Sequence, residues 1–294
     1  MDEMIMKTPN TIKELTEALK DVDNNTYLIS GGTDLIIKFR KDRIHSATVI
    51  DLKGIKELSY IKEEDGCIKI GAGTTFTEIG DHPLLQNHAA CLVEGVCQIG
   101  STQIRNVATI GGNVANAFAG ADAIPGLIAM DAKVKVLNAQ GETYVKEVEQ
   151  ILLGAGKNSL KPDEAIIEII IPALGKDYQS AFAKVGSRSR VTIAKMNIAA
   201  VVKVNEDNQM IEDVRIVLGA LGPKAFRSSM VENILIGKKI SEGVAAAFTD
   251  ALTKQVDLAI PGRKSRVYKR EAVKGLGDEI YHKLFKKTGG EAEC

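Results

Sequence analysis

An α+β protein of two domains is what the sequence predicts, and three observations carry that expectation. The chain has 294 residues, enough for roughly two domains that each bury a core. Two Gly-Gly pairs, Gly31-Gly32 and Gly111-Gly112, each follow a short apolar run in the first part of the chain. The composition then shifts at Ala173-Leu174-Gly175-Lys176-Asp177. Beyond that point an antiparallel hairpin and several helices are expected to build a smaller sheet covered by helices.

Composition narrows the function classes. Apolar residues make up 45% and charged residues 26% of the chain, as in ordinary globular proteins. The 38 basic residues equal the 38 acidic ones, which argues against a nucleic-acid partner, since that needs a basic excess on one face. No apolar run approaches the ~18 residues of a membrane span, and residues 191–204 are broken by Lys195 and Lys203. Met1-Asp2-Glu3-Met4 is acidic and lacks the pattern of a signal peptide. A cytoplasmic protein with no membrane partner is expected. Cys67, Cys91, Cys97 and Cys294 show no C-x-x-C spacing, so free thiols are expected and no metal site.

The elements follow in order. Ile12, Leu15, Ala18 and Leu19 are spaced for an amphipathic helix capped by Asn10 or Thr11. Asp23-Asn24-Asn25 is a turn, and 26–30 is a strand feeding the first Gly-Gly. A short helix over 35–39 and strands over 48–52 and from 58–61 come next. Residues 67–71 alternate and bend into a helix near Phe76. A single helix is expected over 88–99, with Ala89, Leu92, Val93 and Val96 on one face. After the second Gly-Gly come the stretches 117–122 and 124–130 and strands over 133–137 and 163–171, the last stopping at Pro172. Downstream, strands are expected over 180–184, 198–204 and 213–219, with Glu206-Asp207-Asn208 as a hairpin turn. Helices are expected over 230–235, 243–255 and 265–276, and residues 289–294 as a frayed tail.

Common nucleotide signatures are missing. Gly156-Lys157 and Gly237-Lys238 lack the rest of a P-loop, and Gly71-Ala72-Gly73-Thr74-Thr75 does not complete G-x-G-x-x-G. The two Gly-Gly bends remain. Paired glycines let successive N–H groups converge on an anion, and two such bends make the jaws of a diphosphate clamp. Structural turns use Gly-Gly equally well. Neither loop holds Lys or Arg, so a clamp here works through N–H dipoles and the Thr33, Thr109 and Asn113 side chains. The four histidines stand apart from any nucleophile or paired carboxylate, so no catalytic side chain is assigned and the chemistry is left to a cofactor.

Ser30-Gly31-Gly32-Thr33-Asp34 and Thr109-Ile110-Gly111-Gly112-Asn113 resemble the paired FAD-binding motifs of the flavin subunits of molybdenum hydroxylases. Gln103-Ile104-Arg105-Asn106 and Ala121-Asp122-Ala123-Ile124-Pro125 extend the likeness. So do Leu218-Gly219-Ala220-Leu221-Gly222-Pro223 and Tyr268-Lys269-Arg270-Glu271-Ala272-Val273, the last being most similar to the xanthine dehydrogenase-like branch. The resemblance implies a two-lobed PCMH-type (vanillyl-alcohol-oxidase-like) FAD-binding domain over 1–175, with lobes about 1–55 and 56–175. A C-terminal domain of the carbon monoxide dehydrogenase flavoprotein type would fill 176–288.

By the same resemblance, Leu28, Ile29, Ser30, Gly31, Gly32, Thr33, Asp34 and Leu35 wrap FAD from one lobe. Thr109, Ile110, Gly111, Gly112 and Asn113 do so from the other. Asp122 matches an FAD-contacting aspartate and would bond a ribose or ribityl hydroxyl; a helix N-cap is its alternative. Ile99 packs on the flavin or simply in a helix core. Ile166 and Lys184 match positions near the isoalloxazine ring, where a lysine charge raises the flavin's potential; Lys184 on a solvated strand is the plainer reading. Ser187-Arg188-Ser189-Arg190 faces the nucleotide or a neighbour, or is a polar loop. Thr192-Ile193-Ala194 departs from the Asp-Ile-Ala of many relatives, which removes any role tied to that carboxylate.

The implied function is an FAD-carrying electron-transfer subunit. Its partners would be a molybdopterin-binding large subunit and a [2Fe–2S] small subunit, with NAD⁺ as acceptor. Two other readings stand beside it: a self-contained flavin reductase of the enolpyruvyl-glucosamine reductase type, and a flavin-free assembly subunit.

Overall fold

The computed structural model describes residues 3–285 apart from Arg190, Glu206 and Asn208. The expectations for Arg190, for both ends of the 206–208 turn, for Cys294 and for the 289–294 tail lie outside the described residues.

The first lobe is built from β1 (Met4–Lys7), α1 (Ile12–Leu19), β2 (Thr26–Ile29), α2 (Leu35–Asp42) and β3 (Ala47–Asp51). Its strands form a parallel sheet in the order β1-β3-β2. Thr11 is the cap of α1: its Oγ1 accepts from Glu14 N at 3.1 Å, while the Glu14 carboxylate accepts from Asn10 N at 2.8 Å. Leu15 and Leu19 are then buried against Ile50.

The second lobe holds β4 (Ile61–Glu64), β5 (Cys67–Gly71), β6 (Lys133–Asn138), β7 (Thr143–Glu147), the short hairpin β8 (Leu152–Gly154) and β9 (Lys157–Asn158), and β10 (Glu164–Pro172). The longer strands make an antiparallel sheet in the order β4-β5-β10-β6-β7. Helices α3 (Phe76–Asp81), α4 (Pro83–His88), α5 (Ala90–Cys97), α6 (Thr102–Arg105), α7 (Ile110–Asn116), α8 (Ala123–Ala129) and α9 (Val148–Ile151) belong to this lobe. The helix expected over 88–99 is broken at Ala89, whose backbone is non-helical at φ −144°. Ala89 N closes α4 on Leu85 O at 2.8 Å, and Ala89 O opens α5 by accepting from Val93 N at 3.1 Å. Both helices bury the same apolar face, so periodicity does not show the join. The stretch 58–61 also differs: Lys56–Leu58 is a 3₁₀ turn and the strand starts at Ile61.

The C-terminal sheet is antiparallel, β11 (Tyr178–Val185), β12 (Met196–Asn205), β13 (Met210–Gly219) and β14 (Phe226–Arg227), in that order. Helices α10 (Ser229–Leu235), α11 (Glu242–Ala259) and α12 (Arg266–Phe285) follow, the last two longer than their apolar stripes suggest. Residues alternate along β12: Ile198, Ala200 and Val202 face α11 and α12, while Ala199 and Val201 join the core of the second lobe with Leu92, Leu127 and Phe182. A sheet buried on both faces explains why β12 is a near-continuous apolar run.

The thiols depart in part from expectation. Cys67 and Cys91 are free, and burial pushes the Cys91 thiol up to about 12. Cys97 is disulfide-bonded, which spacing along the chain does not reveal.

The lobes touch where Gly31 meets the 107–108 backbone; a Cβ there would lie 2.1 Å from Val107 O and 2.8 Å from Ala108 Cα. Backbone cannot yield as a side chain does. Gly31→Ala is expected to lower stability by about 1–3 kcal/mol or more, read as a lower urea midpoint.

Candidate functional site

Where β2 ends, the chain turns through Ser30-Gly31-Gly32-Thr33-Asp34 into α2. Gly32 sits at φ +69°, a conformation that favours glycine. None of the hydrogen bonds among the described residues engages the N–H groups of Gly31, Gly32, Thr33 or Asp34. Four successive donors are thus left for an external acceptor, as in an anion nest.

The second bend differs from the symmetric clamp that the sequence suggests. Gly111 and Gly112 lie in the first turn of α7, capped by Thr109, whose Oγ1 accepts from Gly112 N at 3.3 Å. The N–H groups of Ile110, Gly111 and Asn113 go to Thr74 O, Ala72 O and Thr109 O at 3.1, 2.9 and 3.0 Å. Its backbone donors are therefore already used. The two glycines also serve different ends. A Cβ on Gly111 would lie 2.6 Å from Ala72 Cβ, so this glycine lets α7 pack on the chain after β5. A Cβ on Gly112 would meet only Thr109 Oγ1, at 3.0 Å, so its bare Cα forms the surface of a cleft.

That cleft lies between the lobes, and the bends close on it from opposite sides: the Thr109 hydroxyl donates to Ser30 Oγ at 3.2 Å. Its volume is about 550 Å³, within the roughly 300–1,000 Å³ of ligand sites. All of residues 28–35 line it, with Ile99, Thr109, Gly112, Asn113 and Asp122. Four expected residues do not. Ile110 is fully buried in the core. Gly111 and Ile166 line an adjoining cavity of about 80 Å³ that shares Leu28, Ser30 and Gly112 with the cleft.

Lys184 stands behind Asp122 with its side chain 3% exposed. Its ammonium donates to Asp122 Oδ2 at 2.5 Å and to Gln98 O at 3.1 Å, so it is neither a solvated lysine nor part of the cleft lining. Asn197 Nδ2 donates to Asp122 Oδ1 at 2.8 Å. Asp122 occupies the N-cap position of α8 without making a capping bond, so the cap alternative does not describe it. Burial pushes its carboxyl above the usual value, and Lys184 and Asn197 pull it back. Each carboxylate oxygen keeps a lone pair for a further donor.

Several lining residues escaped the sequence. Tyr27 and Lys38 stack at 5.6 Å at the first bend; Lys38 lies one helical turn past Asp34, a spacing that could have flagged it. Phe118 comes from a loop with no such signal, while Thr192 and Ile193 belong to the Thr192-Ile193-Ala194 stretch noted in the sequence without a place at the site. Thr192 thus stands on the cleft itself.

An extended, doubly negative dinucleotide fits these residues. The free N–H groups suit its phosphates, and the Gly112 surface leaves room that a side chain would fill. Asn113 Oδ1, buried without a partner, awaits a donor such as a hydroxyl.

Comparison with known proteins agrees. The family model described as "FAD binding domain in molybdopterin dehydrogenase" matches residues 3–174, and "CO dehydrogenase flavoprotein C-terminal domain" matches 180–284. The chain is 32% identical over 282 residues to the nicotinate dehydrogenase FAD-subunit of Eubacterium barkeri, covering 95% of this chain and 93% of that one. It is 26% identical over 268 residues to the putative xanthine dehydrogenase FAD-binding subunit of Escherichia coli K12, covering 90% and 91%. Its fold matches the carbon monoxide dehydrogenase of Hydrogenophaga pseudoflava with TM-score 0.86 at 24% identity, covering 96% and 97%. With the cleft and the family models in accord, this chain belongs to the FAD-binding subunits of the molybdenum hydroxylases, and its cofactor is FAD.

Proposed function

We propose that this chain carries electrons within a multisubunit molybdenum hydroxylase of the xanthine dehydrogenase-like branch. A large subunit holds molybdopterin, a small subunit supplies electrons from [2Fe–2S] centres, and NAD⁺ is the acceptor. The observation that carries the reading is the inter-lobe cleft with its row of unengaged N–H groups, in a chain similar to subunits named for nicotinate and xanthine dehydrogenation. Both those substrates are nitrogen heteroaromatics, and that class is proposed for the hydroxylated substrate. A cytoplasmic location is proposed with it; among the described residues no helix is long and apolar enough to cross a membrane. The division into units at 1–175 and 176–288 belongs to the same reading.

Bound FAD would supply the redox chemistry. The chain's residues hold and orient it. Gly31, Gly32, Thr33 and Asp34 offer backbone donors to the diphosphate, and Gly112 leaves room on the opposite side. Asp122 accepts from a sugar or ribityl hydroxyl, its charge balanced by Lys184. Leu28, Ile29, Leu35 and Ile99 exclude water, while Ile110, Gly111 and Ile166 shape the wall from beneath. Lys184 acts through Asp122, so its influence on the flavin is indirect.

The test of the class is purification from the native host. Two companion chains bearing molybdenum and iron–sulfur centres, with NAD⁺ reduction by the complex, are expected; a lone active homomer would reject it. Gly112→Val is expected to leave the chain folded but colourless, read by the ~450 nm flavin band and by circular dichroism of the backbone. Lys184→Met should destabilise the fold by about 3–5 kcal/mol, because the Asp122 charge is left buried and unpaired. Adding Asp122→Asn should return part of that loss in a double-mutant cycle followed by urea unfolding.

A further inference from the structure

The stretches Leu218–Pro223 of the sequence pattern, numbered 218–223, and Tyr268-Lys269-Arg270 do not line the cleft, yet they meet behind one of its walls. Lys269 lies on α12 and is buried, and its ammonium donates to Ala220 O at 2.6 Å. Ala220 is a non-glycine residue at φ +56°, a conformation that persists where surroundings hold it. Its N–H donates to Ala119 O at 3.1 Å. Ala119 is flanked by Phe118 and Gly120, both on the cleft.

A second grip lies alongside. Asn197 is fully buried on β12, and its Nδ2 donates to Ala121 O at 3.3 Å as well as to Asp122 Oδ1 at 2.8 Å. Gly219 comes so near that a Cβ would sit 2.0 Å from Asn197 Oδ1. Among the described residues no carboxylate pairs with Lys269, and burial, with Arg263 nearby, pushes its ammonium below the usual lysine value. A buried, unpaired cation is a cost to the fold, here spent on holding one backbone carbonyl.

The geometry points to Lys269 and Asn197 as positioning residues for FAD: neither touches the cleft, and together they fasten residues 119–122 as its rigid wall. This inference rests on the cleft being that of FAD and is independent of the electron route.

The test uses the full chain stripped of FAD and titrated with it, following the dissociation constant and the visible circular dichroism of the bound flavin. Lys269→Met keeps the apolar stem and removes the donor; Asn197→Ala removes both of its bonds. Each is expected to raise the FAD dissociation constant about tenfold, the scale of one lost hydrogen bond, and to change the flavin's circular dichroism. Lys269→Arg, which keeps a donor, should return both towards wild type. The apo chain's thermal midpoint is measured alongside. A lower midpoint with the bound flavin's circular dichroism unchanged would show a merely structural role and overturn the inference, as would unchanged binding in the folded variants. Should Lys269→Met fail to fold, Asn197→Ala decides by the same two readings. A wild-type chain that takes up no FAD would instead overturn the assignment of the cleft.

Discussion

Gly31 has no side chain because the carbonyl of Val107 stands where a Cβ would be, 2.1 Å from its ideal position. Two lobes built on separate sheets can approach this closely only where bare backbone meets backbone. The hydroxyl bond between Thr109 and Ser30 then ties the same seam. With the seam closed, the turn that follows β2 and the first turn of α7 share a single space. The cleft is thus a product of one contact, and its polar character is divided between the two sides. One side offers unengaged backbone donors; the other offers a smooth glycine surface and an amide side chain.

Charge is handled differently from what a loop without Lys or Arg implies. Asp122 brings a negative group to a site suited to an anion, which alone would repel it. Lys184 lies behind it, so the pair is close to neutral as seen from the cleft. The carboxylate is thereby freed to act as an acceptor rather than as a charge. The ion pair also joins a residue that precedes α8 to one on β11, so the electrostatic balance of the cleft depends on the C-terminal sheet.

The helices and strands were legible largely because their apolar periods are strong, and the two glycine pairs marked the site because few residues tolerate such backbone. What the sequence did not show lies in tertiary contact. Nothing local distinguishes Gly111, which relieves packing on Ala72, from Gly112, which borders open space. Nothing in the spacing of Asp122 and Lys184 announces that they pair. Ala89 keeps the apolar stripe intact while its backbone leaves the helix. Phe118, exposed at 44%, reaches the cleft rim from a loop without pattern.

The alternation along β12 has a consequence for how the molecule comes apart. Its Ala199 and Val201 belong to the same apolar mass as the helices of the second lobe, while Ile198, Ala200 and Val202 belong to that of α11 and α12. One strand therefore serves as a party wall, and stripping either neighbour from it bares a greasy face. The two domains, distinct as sequence modules, are bound to melt together as one cooperative body.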